Sequence, residues 1–256
     1  MIRAVLLDLS GVVYDGETPI PGAVAAIARL RAEGLPIRFV SNTTRSPHHA
    51  IIAQLAGFGI VVGRDELFTP ARAAIEWLAR EGCAPHLLVH PDLVPEFAGN
   101  RFGDRKAVVV GDAAEAFTYA AMNAAFRQLI DGAEFLALAV NRTFKDADGG
   151  LSLDAGAFVA ALEFAAGKQA TVLGKPARDF FHAALAGLDC LPAQAVMVGD
   201  DAESDVAGAL RAGIGAGLLV RTGKYRAGDE SRFAPHPSAV VDDLAAAVEW
   251  ILAHRR

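Results

Sequence analysis

Four short stretches of the chain place reactive side chains at the ends of apolar runs. They are Asp8 in "AVLLDLSG", Ser41 and Asn42 in "FVSNTT", Lys175 in "VLGKP", and Asp200, Asp201 and Asp205 in "VGDDAESD". A carboxylate held at the tip of a buried strand can take a phosphoryl group as a nucleophile. A hydroxyl and the backbone N–H groups that follow it, just before a helix, suit phosphate oxygens. Lysine supplies a compact cation for the same oxygens. If Asp8 and Asp200 converge, two carboxylates about 5 Å apart repel by roughly 3 kcal/mol at an effective dielectric of 20, so the cluster requires a cation. Hard oxygen donors with no His or Cys beside them favour Mg²⁺ over zinc or copper. These are the parts of phosphoryl transfer, a reaction governed by positioning and charge neutralisation.

Taken singly, each residue has a plainer reading. Asp8 suits a turn cap, Asp201 and Asp205 a solvated first helical turn, and Lys175 a surface charge. Their joint occurrence, in this order, favours the chemical reading. Other signals fail. "GIGAGLL" precedes a strand where a dinucleotide fingerprint follows one, and "RTGKY" lacks the Ser/Thr and the loop length of a P-loop. "DADGG" reads as a turn with no calcium-ligand series behind it.

The elements that must hold these side chains alternate. Strands are expected over 2–7, 37–40, "HLLVH", "KAVVVG", "EFLALAVN", "ATVLGKP", "AVMVGDD" and "AGLLVR". Helices are expected over 22–33, from Pro47 (with Ser46 as N-cap) to 57, and over 71–81, 114–130, 156–166, 179–187, 204–212 and 242–254. Near-continuous apolar strands joined by helices predict an α/β fold: a Rossmann-like parallel sheet core with helices on both faces. In such sheets ligands sit at the carboxyl ends of the strands. Pro85, Pro91, Pro95 and "GNRFGDRK" interrupt the middle of the chain more often than its flanks. The expected division is a core of residues 1–72 and 173–256 and an inserted smaller α/β domain over 73–172.

The 256 residues are 53% hydrophobic and 21% charged, a globular balance. A net charge of -6 argues against a nucleic-acid groove, which needs clustered Lys and Arg. No apolar run of about 18 residues is present to span a membrane, and the N-terminal stretch does not read as a signal peptide. The expected address is the cytoplasm. Cys83 and Cys190 form no CxxC pair and are expected as two reduced core thiols.

"DLSGVVYDG", "FVSNTTRSP", "LGKPARDFF" and "VGDDAESDVAGA" resemble, in order, the four motifs of the haloacid dehalogenase superfamily of hydrolases. The long stretch between the second and third motifs is similar to the α/β cap of one of its subgroups, whose members often pair through their caps. The resemblance covers essentially the whole chain and implies a magnesium-dependent phosphatase acting on small phosphorylated substrates, with a homodimer as a further implication. It implies Asp8 as nucleophile and metal ligand, the Ser10 backbone carbonyl as a second ligand, and Ser41 and Lys175 as phosphoryl-binding groups. Asp200 would bind the metal directly, and Asp201 and Asp205 would hold its waters.

The departure is Ser10. Most members of the family carry an aspartate there that protonates the leaving group and then activates water. Such general acid/base help is worth typically 10²- to 10⁴-fold, and serine does not supply it at neutral pH. Asp15 and Glu17 lie close in sequence as candidates to replace it. The expected consequence is a preference for pyrophosphate, aryl phosphates or phosphoramidates, whose leaving groups depart readily, over alkyl phosphates. The alternative is a phosphate- or metabolite-binding protein with little turnover. Dehalogenation needs no acidic fourth motif, and "GDDAESD" speaks against it.

Overall fold

The computed structural model describes residues 1–145 and 150–255, so 146–149 of the "DADGG" turn lie outside the described residues. The chain forms two compact units. One comprises Met1–Ser41, His49–Phe68 and Lys175–Arg256, the other Asn42–His48 and Thr69–Gly174.

The first unit is built on six strands: β1 (Ala4–Asp8), β2 (Ile37–Val40), β3 (Leu67–Phe68), β4 (Ala195–Gly199), β5 (Ala216–Val220) and β6 (Ala239–Val241). They lie in the order β6-β5-β4-β1-β2-β3, every neighbouring pair parallel. Successive side chains of a strand point to opposite faces, and both faces here are buried. Val5, Leu7, Phe39, Val196, Val198, Leu218 and Val220 pack in one cluster with Ile27 and Leu30 of the helix Ala23–Ala32 and Val248 and Ile251 of the helix Leu244–Ala253. Leu219 packs with Ala202 and Val206 in a second cluster. Apart from Arg38 in β2 and Asp8 at the tip of β1, the strands are therefore apolar instead of alternating.

The second unit has its own parallel sheet, ordered Thr171–Val172, Glu134–Ala137, Arg105–Val110, Cys83–Leu88. Val108, Val110, Phe135 and Ala137 of this sheet pack with Ala125, Leu129, Val159 and Leu162 from the helices Tyr119–Ile130 and Ala155–Ala166.

Several local expectations need correction. The helix expected over 114–130 is a 3₁₀ turn at Ala114–Ala116 followed by a helix from Tyr119, because the Thr118 side chain accepts from the Ala121 N–H and caps a new start. The helix expected to open at Pro47 starts at His48, whose N–H donates to the Glu96 carboxylate. The strand expected to run through "ATVLGKP" stops at Val172 and belongs to the second sheet, so Lys175 is held by a loop. Of the two cysteines, Cys83 is buried but Cys190 is only half-buried.

Candidate active site

Strand register brings the strand-end residues together. Asp8 of β1 stands opposite Val40 of β2, one residue before Ser41, and Leu7 stands opposite Val198 of β4, two residues before Asp200. The strand sequence runs outward in both directions from the β1/β4 pair, which makes that pair the switch point of the sheet. Ligands of open parallel sheets bind in the crevice outside the carboxyl ends at such a point. Ser41 is buried there and donates its N–H to the Phe68 carbonyl at 3.2 Å. Asn42 belongs to the second unit, where it lines a cavity of about 410 Å³ with Arg45 and Asp112.

Asp8, Asp200 and Asp205 are all buried, and each offers a carboxylate oxygen within 4.8 Å of the other two. Lys175 is 4% exposed, and its ammonium lies 2.5 Å from Asp8 Oδ1 and 2.6 Å from Asp205 Oδ1. Burial raises the Asp8 carboxyl, Lys175 opposes this, and the Asp200 charge adds to it. Burial pushes Asp200 up to about 6 with help from the Asp205 charge. Burial likewise takes Asp205 to about 7 against the pull of Lys175. Burial alone would lower the Lys175 ammonium, yet Asp205 and Asp8 together hold it above the ordinary lysine range. Three buried carboxylates thus share one buried ammonium. The remaining negative charge and an all-oxygen donor set fit a hard divalent cation.

That charge imbalance has a measurable consequence. Asp200 and Asp205 bind protons more readily folded than unfolded, so folding takes up protons between pH about 4 and about 7. Their contribution to stability is full below that window and is lost as pH rises through it. In EDTA, the melting temperature of the wild type is expected to fall further between pH about 5 and about 8 than that of Asp205→Asn. Equal slopes would contradict the assignment.

The other acids are placed differently. Asp201 is the N-cap of a π-helical turn, Ala202–Ala207, and its Oδ1 accepts from the N–H groups of Glu203 at 3.0 Å and Ser204 at 2.9 Å. Its own N–H donates to Asp205 Oδ2 at 3.2 Å. Among the described residues, its carboxylate is therefore outside the three-acid cluster and fixes the turn that carries Asp205 into it. Ser10 is exposed and forms a β-bridge with Tyr14. Asp15 and Glu17 are exposed in the hairpin Tyr14–Asp15/Thr18–Pro19. The Tyr14 hydroxyl is pushed up to about 12 by burial and the Asp8 charge, so it keeps its proton at neutral pH.

Sequence reasoning missed one segment of the site. "RTGKY", which fails as a P-loop, follows β5 and reaches Asp200: the Lys224 N–H donates to Asp200 Oδ2 at 2.7 Å. Lys224 Nζ lies 3.8 Å from Asp201 Oδ2, and the Thr222 hydroxyl donates to the Gly11 carbonyl at 2.5 Å. Gly11 and Gly223, both at positive φ, flank the Asp200 carboxylate so closely that a Cβ on either would lie 2.0 Å from Asp200 Oδ2. Only glycine allows that approach at that backbone angle. The Gly11 backbone therefore runs directly beside Asp200.

Residues 5–123 match the family model described as "Haloacid dehalogenase-like hydrolase", and residues 172–247 match one described as HAD-hydrolase-like. Over 253 residues the chain is 44% identical to human haloacid dehalogenase-like hydrolase domain-containing protein 2, covering 99% of this chain and 97% of the other. It is 43% identical over 261 residues to the phospholysine phosphohistidine inorganic pyrophosphate phosphatase of Danio rerio, covering 99% of this chain and 96% of the other. Among solved structures, the p-nitrophenyl phosphatase from Archaeoglobus fulgidus superposes with a TM-score of 0.89 at 26% identity, covering 97% of this chain and 99% of that one.

Proposed function

Because the chain belongs to the haloacid dehalogenase-like hydrolases and is a phosphatase of that family, we propose that it hydrolyses small phosphorylated compounds with good leaving groups, dependent on Mg²⁺ and through an aspartyl-phosphate at Asp8. The observation that carries this reading is the buried Asp8–Lys175–Asp205 arrangement with Asp200 beside it.

Asp8 is the nucleophile of this mechanism. One of its carboxylate oxygens attacks phosphorus, the bond to the leaving group breaks, and the phosphoryl group is left on Asp8 as a mixed anhydride. Water then attacks phosphorus, releasing phosphate and restoring the carboxylate. Lys175 opposes the rise that burial imposes on the Asp8 carboxyl and offers positive charge to the phosphoryl oxygens. The Ser41 hydroxyl and the N–H groups after β2 orient the same oxygens. Asp8, Asp200, Asp205 and the Ser10 carbonyl would hold Mg²⁺, which supplies Lewis-acid charge to the phosphoryl group when bound. Asp201 acts through the turn it caps. In this reading the second unit serves as the cap.

No acid at position 10 delivers a proton to the departing oxygen. Leaving groups that are stable as anions, or protonated on nitrogen, escape this demand; alkoxides do not. The name of the Danio rerio relative, an inorganic pyrophosphate phosphatase, agrees with that class, and so does an aryl phosphate cleaved by the archaeal neighbour.

The test is phosphate release with and without Mg²⁺ from pyrophosphate, a phosphoramidate and an alkyl phosphate. Metal-dependent release more than about tenfold faster from the first two is expected from the general-acid argument. Equal rates on all three would overturn the leaving-group assignment. Phosphate binding without release would mark a binding protein instead.

A further inference from the structure

We propose that Thr222 is a positioning residue that sets the affinity of the acidic site for its divalent cation, an inference that rests on the metal-dependent reading above. Three strands contribute to the site, and Thr222 ties two of them across the third. Gly11 lies in the turn after β1, Thr222 in the loop after β5, and Asp200 directly after β4, which sits between those strands in the sheet. The Thr222 hydroxyl donates to the Gly11 carbonyl and so locks the turn that follows Asp8 to the loop that follows β5.

The lock closes around one carboxylate. A Cβ built on Gly223 would lie 2.6 Å from Gly11 Cα and 2.0 Å from Asp200 Oδ2. The two glycine backbones thus lie against each other and against the same Asp200 oxygen, and the Lys224 N–H fixes that Oδ2 at 2.7 Å. With Oδ2 fixed by this hydrogen bond, the direction of the other oxygen is fixed too. Groups that orient a metal ligand in this way typically change metal affinity 10- to 100-fold when removed. Among the described residues, the Thr222 hydroxyl bonds to the Gly11 carbonyl and to none of the three carboxylates. Its effect passes through Gly11, Gly223 and Lys224.

The experiment titrates Mg²⁺ into EDTA-stripped full-length protein by calorimetry, for the wild type, Thr222→Val and Thr222→Ser. Thr222→Val is expected to bind Mg²⁺ at least about tenfold more weakly, and Thr222→Ser, which keeps the donor, within about twofold of wild type. Phosphate release by Thr222→Val is expected to recover at saturating Mg²⁺, because the nucleophile and Lys175 are intact. Thr222→Ala serves as the second variant if the valine does not fold. Wild-type Mg²⁺ affinity in the valine or alanine variant would overturn the proposal. Absence of Mg²⁺ binding by the wild type would overturn the metal-dependent reading itself, a separate result.

Discussion

Asp8→Asn is expected to release phosphate at least about 10⁴-fold more slowly than the wild type on every substrate, the scale of loss seen when an enzyme's nucleophile is removed. An amide oxygen is a poor nucleophile and gives no stable mixed anhydride. The fold is not the reason for the loss. Asparagine matches aspartate in shape, and burial already makes the Asp8 charge unfavourable. The variant removes one of three crowded carboxylates and leaves Lys175 paired with Asp205. Melting temperature is therefore expected to hold or rise while turnover disappears. Acid quenching during wild-type turnover should trap one acid-stable, base-labile phosphate per chain, and none in the variant. Substantial turnover by Asp8→Asn would remove Asp8 from the mechanism.

Ser10→Asp should change the substrate range in the opposite direction. It restores a carboxyl where the first-motif turn lacks one, and alkyl phosphate hydrolysis is expected to gain 10²- to 10⁴-fold in kcat, the usual worth of general acid/base help. Pyrophosphate should change by less than about tenfold, since its leaving group needs little help from an acid. Ser10 is exposed, so the new side chain meets water and carries no burial penalty. An aspartate with an ordinary pKa near 4 is mostly ionised at neutral pH, so the gain should be largest at mildly acidic pH. A Ser10→Asp protein as slow on alkyl phosphates as its parent would show that the serine is not what limits them.

Much of this architecture is legible in the sequence because buried parallel strands write continuous apolar runs, and the rule for open sheets points at their carboxyl ends. Asp8, Ser41 and Asp200 follow directly from that rule. Lys175 is found by the same rule for the wrong reason: its strand ends at Val172 in the other sheet, and a loop delivers the ammonium to Asp8. Leu67–Phe68 and Ala239–Val241 are too short to show a period, so the two edge strands are invisible. What the spacing does not show is the direction of the Asp201 side chain. Residues four apart share a helix face, but the turn is π-helical and Asp201 spends its oxygen on capping. Lys224 holds Asp200 through a backbone N–H, which every residue but proline possesses and no pattern of side chains announces.

The path of the chain between its two units bears on how this protein can be recombined. The chain changes unit between Ser41 and Asn42, His48 and His49, Phe68 and Thr69, and Gly174 and Lys175. The short piece Asn42–His48 is thus a structural part of the second unit, although it is encoded well upstream of the rest. Within that unit the Thr44 hydroxyl accepts from the Asp112 N–H at 3.2 Å, and Arg45 Nε lies 2.5 Å from the buried Asp112 carboxylate while its guanidinium stands 4.4 Å from the centre of the Phe144 ring. A graft that transplants only the long insertion from a relative would leave these partners of Asp112 behind in the host. The exchangeable module is two segments, and evolution or a protein engineer reshaping the second unit must alter both together.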